Sequence, residues 1–199
     1  MKQTKRDFLT LAEFTPGELK KLLDRAAKLK SGKVRKTSPL AGKSIGLLFD
    51  KTSTRTRISF QTGIYELGAQ AIYINTQELQ LGRGESIEDT AKVLSRYLHG
   101  IVIRTYEHSI VEKFAMNADI PIVNGLTDHH HPCQAIADML TIKEKKGKLK
   151  GVRLAYIGDG NNVVNSLMIA ASLTGLELVI ACPRGYEPDR NIMKAVNEQ

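Results

Sequence analysis

The segment from Phe49 to Phe60, FDKTSTRTRISF, concentrates groups that bind anions. It follows the apolar run SIGLLF and places Ser53, Thr54 and Thr56 around Arg55. The free N–H groups of a first helical turn, hydroxyls and a guanidinium can hold a phosphate from several sides. A capped helix with surface arginines is the simpler alternative, but it needs fewer polar groups than this segment has. We therefore predict a phosphate site at a helix start.

Polar residues also follow two later apolar segments. Arg104 closes the run GIVIR, and the loop LTDHHHPCQ follows PIVNG. In open α/β sheets, ligands bind at the carboxyl ends of the strands, so these positions are candidates for the same site. His131 before Pro132, with Gln134 opening a helix, is typical of hydrogen-bonding groups held at a helix start.

The loop also raises a metal alternative, since His129, His130, His131 and Cys133 are all possible zinc ligands. Consecutive residues rarely point at one ion, and structural zinc sites space their ligands as CxxC or HxxxH. No metal is therefore expected.

The turn GDGNNV at 158–163 is close to the dinucleotide-binding fingerprint. Val163 replaces the third glycine, however, and the next apolar run ends in ACP at 181–183, where an acidic residue would bind the ribose. A nicotinamide cofactor is therefore not expected. Asn161 and Asn162 are better suited to holding a small polar ligand.

Short apolar runs alternate with amphipathic segments along the chain. The predicted strands are 44–49, 71–75, 100–105, 121–125, 152–158 and 176–182. The predicted helices are 16–30, 54–68, 87–100, 108–118, 133–147 and 161–175, with part of another at the end. This alternation predicts an α/β fold of two doubly wound parallel-sheet domains. We expect a first domain at 1–133, a connecting helix at 134–149 and a second domain at 150–199.

The second domain shows only two strands, one helix and part of another. A two-stranded parallel sheet cannot enclose a core, because such sheets need helices on both faces. The sequence is therefore expected to hold an incomplete second domain.

Composition narrows the class of protein. The net charge of +8 favours anionic partners, and much of the excess lies at 19–36 and 143–150. No aromatic residues interleave with those lysines, so nucleic acid is not expected. No apolar run reaches membrane-spanning length, and the start MKQTKRDFLTLAEF has no signal-peptide core, so we expect a cytoplasmic protein. The two cysteines, Cys133 and Cys182, are expected to be reduced thiols.

Five motifs occur in one order along nearly the whole chain: STRTR at 53–57, QLGRGE at 80–85, IRT at 103–105, HPCQ at 131–134 and GDGNN at 158–162. Together they resemble the transcarbamoylase family. HPCQ, QLGRGE and DGNN favour its ornithine-specific members over its aspartate-specific members, and putrescine-specific members are a closer alternative. The resemblance implies transfer of a carbamoyl group from carbamoyl phosphate to the δ-amine of L-ornithine, giving L-citrulline and phosphate.

The resemblance also implies roles for individual residues. Carbamoyl phosphate would be bound by Ser53, Thr54, Arg55, Thr56, Gln80, Arg104, His131, Pro132, Cys133 and Gln134. Within that set Arg104, His131 and Thr56 would polarise the carbonyl and act as the catalytic residues, and Gln134 would hold the carbamoyl NH₂. Asn162 would contact ornithine, and Arg57 is expected to be structural. Gln80 matches a residue that family members donate across a subunit boundary, which implies a homotrimer or a multiple of trimers.

Such a site needs no cofactor, because the substrate amine is the nucleophile. The protein has to orient two substrates and stabilise an oxyanion, and orientation can lower the barrier by about 7–11 kcal/mol.

The sequence departs from the family at its end. The aspartate and SMG loop that bind ornithine, and the HCLP motif, do not occur in these 199 residues. We therefore expect a truncated enzyme whose 199 residues alone have little or no activity. A short module that binds carbamoyl phosphate without turnover is the alternative.

Overall fold

The computed structural model describes residues 5–32, 38–76 and 84–198. The described residues form two compact units, one drawn from Met1–Leu9 and Lys36–Thr127 and the other from Thr10–Arg35 and Asp128–Gln199. Both units combine parallel strands with helices, so the predicted α/β class is confirmed. The domain boundaries expected from the sequence differ from these units, because the segment Thr10–Arg35 belongs to the same unit as the segment Asp128–Gln199. As boundaries of functional domains they stay predictions.

The regular elements follow the predicted alternation closely. The strands are β1 (Ser44–Phe49), β2 (Gln70–Asn75), β3 (Gly100–Arg104), β4 (Ile122–Leu126), β5 (Arg153–Ile157) and β6 (Glu177–Ala181). The helices are α1 (Pro16–Lys30), α2 (Thr54–Glu66), α3 (Ile87–Tyr97), α4 (His108–Asn117), α5 (Pro132–Lys146), α6 (Asn162–Thr174) and α7 (Arg190–Asn197).

The sheet of the first unit has the strand order β2-β1-β3-β4, with every pair parallel. The last residue of β1, Phe49, is in register with Asn75 of β2 and Arg104 of β3. The carboxyl ends of three strands therefore lie at one edge of the sheet, which is where ligands bind in open α/β sheets.

Alternate residues of the central strands enter two separate apolar cores. Leu48, Ile101 and Ile103 pack with residues of α3 and α4, including Phe114. Leu47, Phe49 and Val102 pack with Ile64 of α2 on the other face. Helices thus cover both faces of the sheet, and the neighbouring strand ends are held on a rigid support.

The second unit contains the parallel pair β5 and β6. Helix α1 packs with α5 there; Lys30 donates to Glu144 at 2.8 Å, and Asp24 pairs with Lys143. On the sheet, side chains alternate between half-buried and exposed, and Ile157 and Val179 are 84% and 51% exposed.

Helix α3 ends earlier than predicted. The pattern extended it to Gly100, but the helix stops at Tyr97 and Leu98 takes an extended conformation. Leu98 is buried in the core, and the His99 N–H donates to the Ser44 carbonyl. Gly100 begins β3 because pairing with β1 outweighs another helical turn. A 3₁₀ turn at Leu11–Glu13 was not predicted.

The described helices include none with both the length and the apolar character that a membrane span requires.

Candidate functional site

The start of α2 is held by Ser53, which is its N-cap residue. The Ser53 hydroxyl accepts from the Thr56 N–H at 3.3 Å and donates to Thr56 Oγ1 at 2.9 Å. This is the capping geometry that satisfies one of the open N–H groups of a first helical turn. The helix dipole adds partial positive charge at the same place, so the start of α2 can attract an anion.

Arg104 reaches this helix start from the neighbouring strand β3. Its Nε donates to the Lys51 carbonyl at 3.1 Å, and its Nη1 donates to Thr56 Oγ1 at 3.3 Å. Desolvation by burial lowers the pKa of the Arg104 guanidinium, but a guanidinium remains charged at neutral pH. Thr56 Oγ1 accepts from both Ser53 and Arg104, so the Thr56 hydroxyl hydrogen can be donated to a third group.

Thr54 and Arg55 are exposed on the first turn of α2. Arg57, two residues further, lies with its guanidinium carbon 3.8 Å from the centre of the Tyr73 ring. That cation–π contact ties α2 to strand β2, which is a structural use of the side chain.

Asp50 also lies at this edge, and the sequence analysis did not single it out. Its carboxylate accepts from Thr76 Oγ1 at 2.8 Å and from Thr105 Oγ1 at 3.4 Å. Asp50 therefore links the segments that follow β1, β2 and β3. A lone aspartate after a strand gives no signal by itself, because its two threonine partners come from other strands.

In the second unit, His131 is the N-cap residue of α5 and Pro132 occupies the first helical turn. The His131 N–H donates to Ser166 Oγ of α6 at 2.8 Å, and the same hydroxyl donates to the Asn162 carbonyl at 3.0 Å. Two residues singled out from different motifs, His131 and Asn162, are thus joined through one buried serine.

Gln134 follows on the first turn of α5, where its Nε2 donates to Asp138 Oδ1 at 2.9 Å. A carboxylate only accepts hydrogen bonds, so this contact directs the NH₂ of Gln134 toward Asp138. The Gln134 oxygen is then the atom that can accept from an incoming amide. Burial raises the pKa of Asp138, and the hydrogen bond from Gln134 partly offsets this.

Burial raises the pKa of the Cys133 thiol to about 12. At pH 8 its thiolate fraction is then about 10⁻⁴, against roughly a quarter for an ordinary thiol. We predict that, in a Cys182→Ser variant, iodoacetamide labels Cys133 at least about 100-fold more slowly in the folded protein than in denaturant at pH 8. Labelling should accelerate about tenfold per pH unit up to pH 11, because the thiolate is the reactive form. Fast labelling of the folded variant at pH 7 would contradict this.

The turn at 158–162 is built around Gly160. A Cβ there would overlap the backbone of Glu187 and Pro188, and the Gly160 N–H donates to the Tyr186 carbonyl at 2.8 Å. In a dinucleotide fold the second glycine lets the backbone approach a pyrophosphate. Here the chain's own backbone occupies that place. Asn161 caps α6, with its side-chain oxygen accepting from Val163 and Val164 N–H.

The His129 side chain makes a polar contact with Asp189. Its Nε2 lies 3.1 Å from Asp189 Oδ2, and its carbonyl accepts from Asn165 Nδ2 at 3.2 Å. The N–H donors of Ile192, the His129 ring and the Asn191 N–H lower the pKa of Asp189, in that order of strength. Within the described ranges, no three His, Cys, Asp or Glu side chains group as metal ligands.

The predicted residues therefore fall into two groups. The structure brings Ser53, Thr56 and Arg104 together on the first unit, and joins His131 with Asn162 on the second. Gln80 lies outside the described residues. The sequence analysis missed Asn165, Ser166 and Asp189. The signal available for the first two was a polar pair inside the otherwise apolar stretch VVNSLMIAA at 163–171.

Models of two consecutive domains match the chain. Residues 6–144 match the carbamoyl-phosphate-binding domain of the aspartate/ornithine carbamoyltransferases, and residues 150–199 match the aspartate/ornithine-binding domain. The chain belongs to the aspartate/ornithine carbamoyltransferase family.

Relatives within this carbamoyltransferase family are similar over nearly the whole chain. The ornithine carbamoyltransferase of Oceanobacillus iheyensis is 54% identical over 192 residues, which are 94% of this chain and 59% of the relative. That of Anoxybacillus flavithermus is 50% identical over 195 residues, 97% of this chain and 62% of the relative. The chain thus spans about three fifths of the length of the curated carbamoyltransferases it matches.

Solved carbamoyltransferase structures agree with the fold. The ornithine carbamoyltransferase from Pyrococcus furiosus matches with a TM-score of 0.93 and 47% identity, covering 98% of this chain and 63% of that one. The enzyme from Thermus thermophilus matches with a TM-score of 0.91 and 43% identity, covering 96% and 66%. The resemblance read from the five sequence motifs is confirmed.

Proposed function

We propose that the protein transfers the carbamoyl group of carbamoyl phosphate to the δ-amine of L-ornithine, giving L-citrulline and phosphate. The observation that carries the proposal is the cluster of Ser53, Thr56 and Arg104 at the carboxyl ends of β1 and β3. It combines a helix start, hydroxyls and a guanidinium, which is the combination that binds a phosphate group. Relatives whose sequences are about 50% identical to this chain are named ornithine carbamoyltransferases.

The chemical roles follow from the donors available. Ser53, Thr54, Arg55 and Thr56 would bind the phosphate, with Gln80 as a further contact from another subunit. Arg104 and the Thr56 hydroxyl would donate to the carbonyl oxygen as it gains negative charge, together with His131. Donors fixed by other hydrogen bonds need little reorganisation, which is the basis of oxyanion stabilisation.

The second unit would bind the carbamoyl amide and the acceptor. The Gln134 oxygen, directed by the bond to Asp138, would accept from the carbamoyl NH₂. Pro132 and Cys133 would line the same subsite, and Cys133 would act as a neutral thiol because of its raised pKa. Asn162 would contact ornithine. The δ-ammonium of ornithine would lose one proton to solvent, and the oriented amine would then attack the carbamoyl carbon. The new C–N bond forms as the C–O bond to phosphate breaks, and the leaving phosphate would take the second proton of the attacking nitrogen, with no cofactor.

The test is citrulline formation by the protein expressed from its native reading frame. Carbamoyl phosphate is offered with ornithine, putrescine or aspartate in parallel, and product and phosphate are both measured. We expect equimolar citrulline and phosphate with ornithine. Carbamoyl transfer to putrescine alone would reassign the acceptor, and no transfer to any of the three amines would overturn the proposed function.

A homotrimer, or a multiple of trimers, belongs to the same proposal, as does a cytoplasmic location with carbamoyl phosphate and ornithine as the only partners. The two cysteines, Cys133 and Cys182, lie far apart in the sequence and lack CxxC spacing, which fits a reducing compartment. Light scattering coupled to size-exclusion chromatography measures the number of subunits, and a monomer at micromolar concentration would exclude the trimer.

A further inference from the structure

Two polar residues lie side by side inside α6, in its middle stretch 163–171, which is otherwise apolar. Asn165 is 4% exposed and Ser166 is 1% exposed, among Val164, Leu167 and Met168. Burying a hydroxyl or an amide is costly unless it is hydrogen-bonded, so such residues in a buried helix need specific partners.

Ser166 has partners on two different segments. Its hydroxyl accepts from the His131 N–H at 2.8 Å and donates to the Asn162 carbonyl, one turn back in α6, at 3.0 Å. The hydroxyl thus uses its one hydrogen and one of its lone pairs in a fixed direction. The N–H donor belongs to His131, the N-cap residue of α5. The carbonyl of the same residue accepts from the Ala135 N–H.

Asn165 holds the preceding turn of the same loop. Its Nδ2 donates to the His129 carbonyl at 3.2 Å, and its Oδ1 accepts from the Asp189 N–H at 3.3 Å. The Asp189 carboxylate in turn contacts the His129 ring at 3.1 Å. Asn165 and Ser166 therefore form hydrogen bonds to the loop backbone at residues 129 and 131 from one buried part of α6.

We propose that Ser166 is a positioning residue for carbamoyl transfer, acting through the His131 backbone. Ser166 fixes the position and direction of the first turn of α5. It thereby fixes the placement of His131 and Gln134 relative to Asn162. Asn165 forms a hydrogen bond to the same loop two residues earlier, at the His129 carbonyl. This inference rests on the proposed function for its catalytic consequence, while the hydrogen bond itself can be tested without turnover.

The kinetic test compares Ser166→Ala with the wild-type protein in the citrulline assay. We expect kcat to fall between about 10- and 100-fold, since small misplacements of reacting groups have effects of this size. KM for both substrates should change much less than kcat, because the proposed His131 contact with the carbonyl oxygen strengthens as that oxygen gains charge in the transition state. A merely structural role would lower the yield or the melting temperature and leave kcat per folded molecule unchanged.

Three further variants make the comparison specific. Ser166→Cys keeps the shape of the side chain with a somewhat larger atom and replaces the hydroxyl with a poor hydrogen-bond acceptor, so it should lose kcat as Ser166→Ala does. Ser166→Thr keeps the hydroxyl and should recover most of the lost rate. Thr174→Val is the matched control, because Thr174 donates to the Ala170 carbonyl one turn back in the same helix and should leave kcat unchanged when removed.

Amide hydrogen exchange of ¹⁵N-labelled protein gives the readout that does not depend on activity. The His131 N–H should be protected in the wild type and in Ser166→Thr, and should exchange at least about tenfold faster in Ser166→Ala and Ser166→Cys. If the wild type makes no citrulline, the proposed function fails while this measurement still decides the positioning role. Unchanged His131 exchange in both variants, or unchanged kcat in an active protein, overturns the inference.

Discussion

Replacing Arg104 with alanine is expected to lower kcat for citrulline formation at least tenfold while the protein stays folded. The loss of one preorganised oxyanion donor commonly costs about 10²–10³-fold, or about 2.7–4 kcal/mol in the barrier. Arg104 donates to Lys51 and Thr56 from the end of β3, so its guanidinium is fixed before substrate arrives. Steady-state rates at saturating carbamoyl phosphate and ornithine measure the effect, and circular dichroism verifies the fold.

Arg57→Ala is the matched control for this experiment. Arg57 belongs to the first turn of α2, which Arg104 reaches from β3, but the Arg57 guanidinium stacks on Tyr73. Its loss should reduce stability by about 0.5–1 kcal/mol and leave kcat within about twofold. Arg104→Lys distinguishes charge from shape, because lysine keeps the charge without the planar fork and should remain strongly impaired. A folded Arg104→Ala variant with wild-type kcat would refute the role proposed for this residue.

Replacing Gly160 with alanine is expected to lower the free energy of unfolding by about 1–3 kcal/mol, the range for overpacking a closed site. The added Cβ would overlap the backbone of Glu187 and Pro188, which cannot move aside as a flexible side chain can. Moving that segment also strains the Gly160–Tyr186 hydrogen bond and the contacts of Asp189 with His129 and Asn165. Urea unfolding followed by circular dichroism measures the loss.

A glycine inside a helix provides a control with the opposite expected sign. Gly63 lies within α2 and a Cβ there would meet nothing within 4 Å. Gly63→Ala should therefore be neutral or stabilise the protein by up to about 1 kcal/mol, since alanine loses less backbone entropy in a helix. Wild-type stability of Gly160→Ala would contradict the prediction. It would show that the 186–188 segment moves aside without lowering the free energy of unfolding.

Local sequence patterns were enough to predict most of the elements. Thr15 and Glu18 form the capping box expected at the start of α1, and Ser86 caps α3 through the Asp89 N–H. These signals are local because both partners are three residues apart. The predicted end of α3 was wrong because Leu98 packs in a core that includes Leu48, and His99 donates to Ser44. Both partners belong to β1 and lie 50 or more residues away in the sequence.

By itself the sequence determined the α/β class, the family and the strand-end positions of Ser53, Thr56 and Arg104, because strand and helix periodicity and short motifs are contained in contiguous residues. Only the tertiary structure decided the strand order β2-β1-β3-β4, which puts Arg104 against Thr56. It also decided that Asp50 ties three strand ends, that Gly160 meets the chain's own backbone, and that Ser166 joins His131 to Asn162. Each of these arrangements includes a contact between residues distant in sequence, and its free energy depends on packing that no local pattern records.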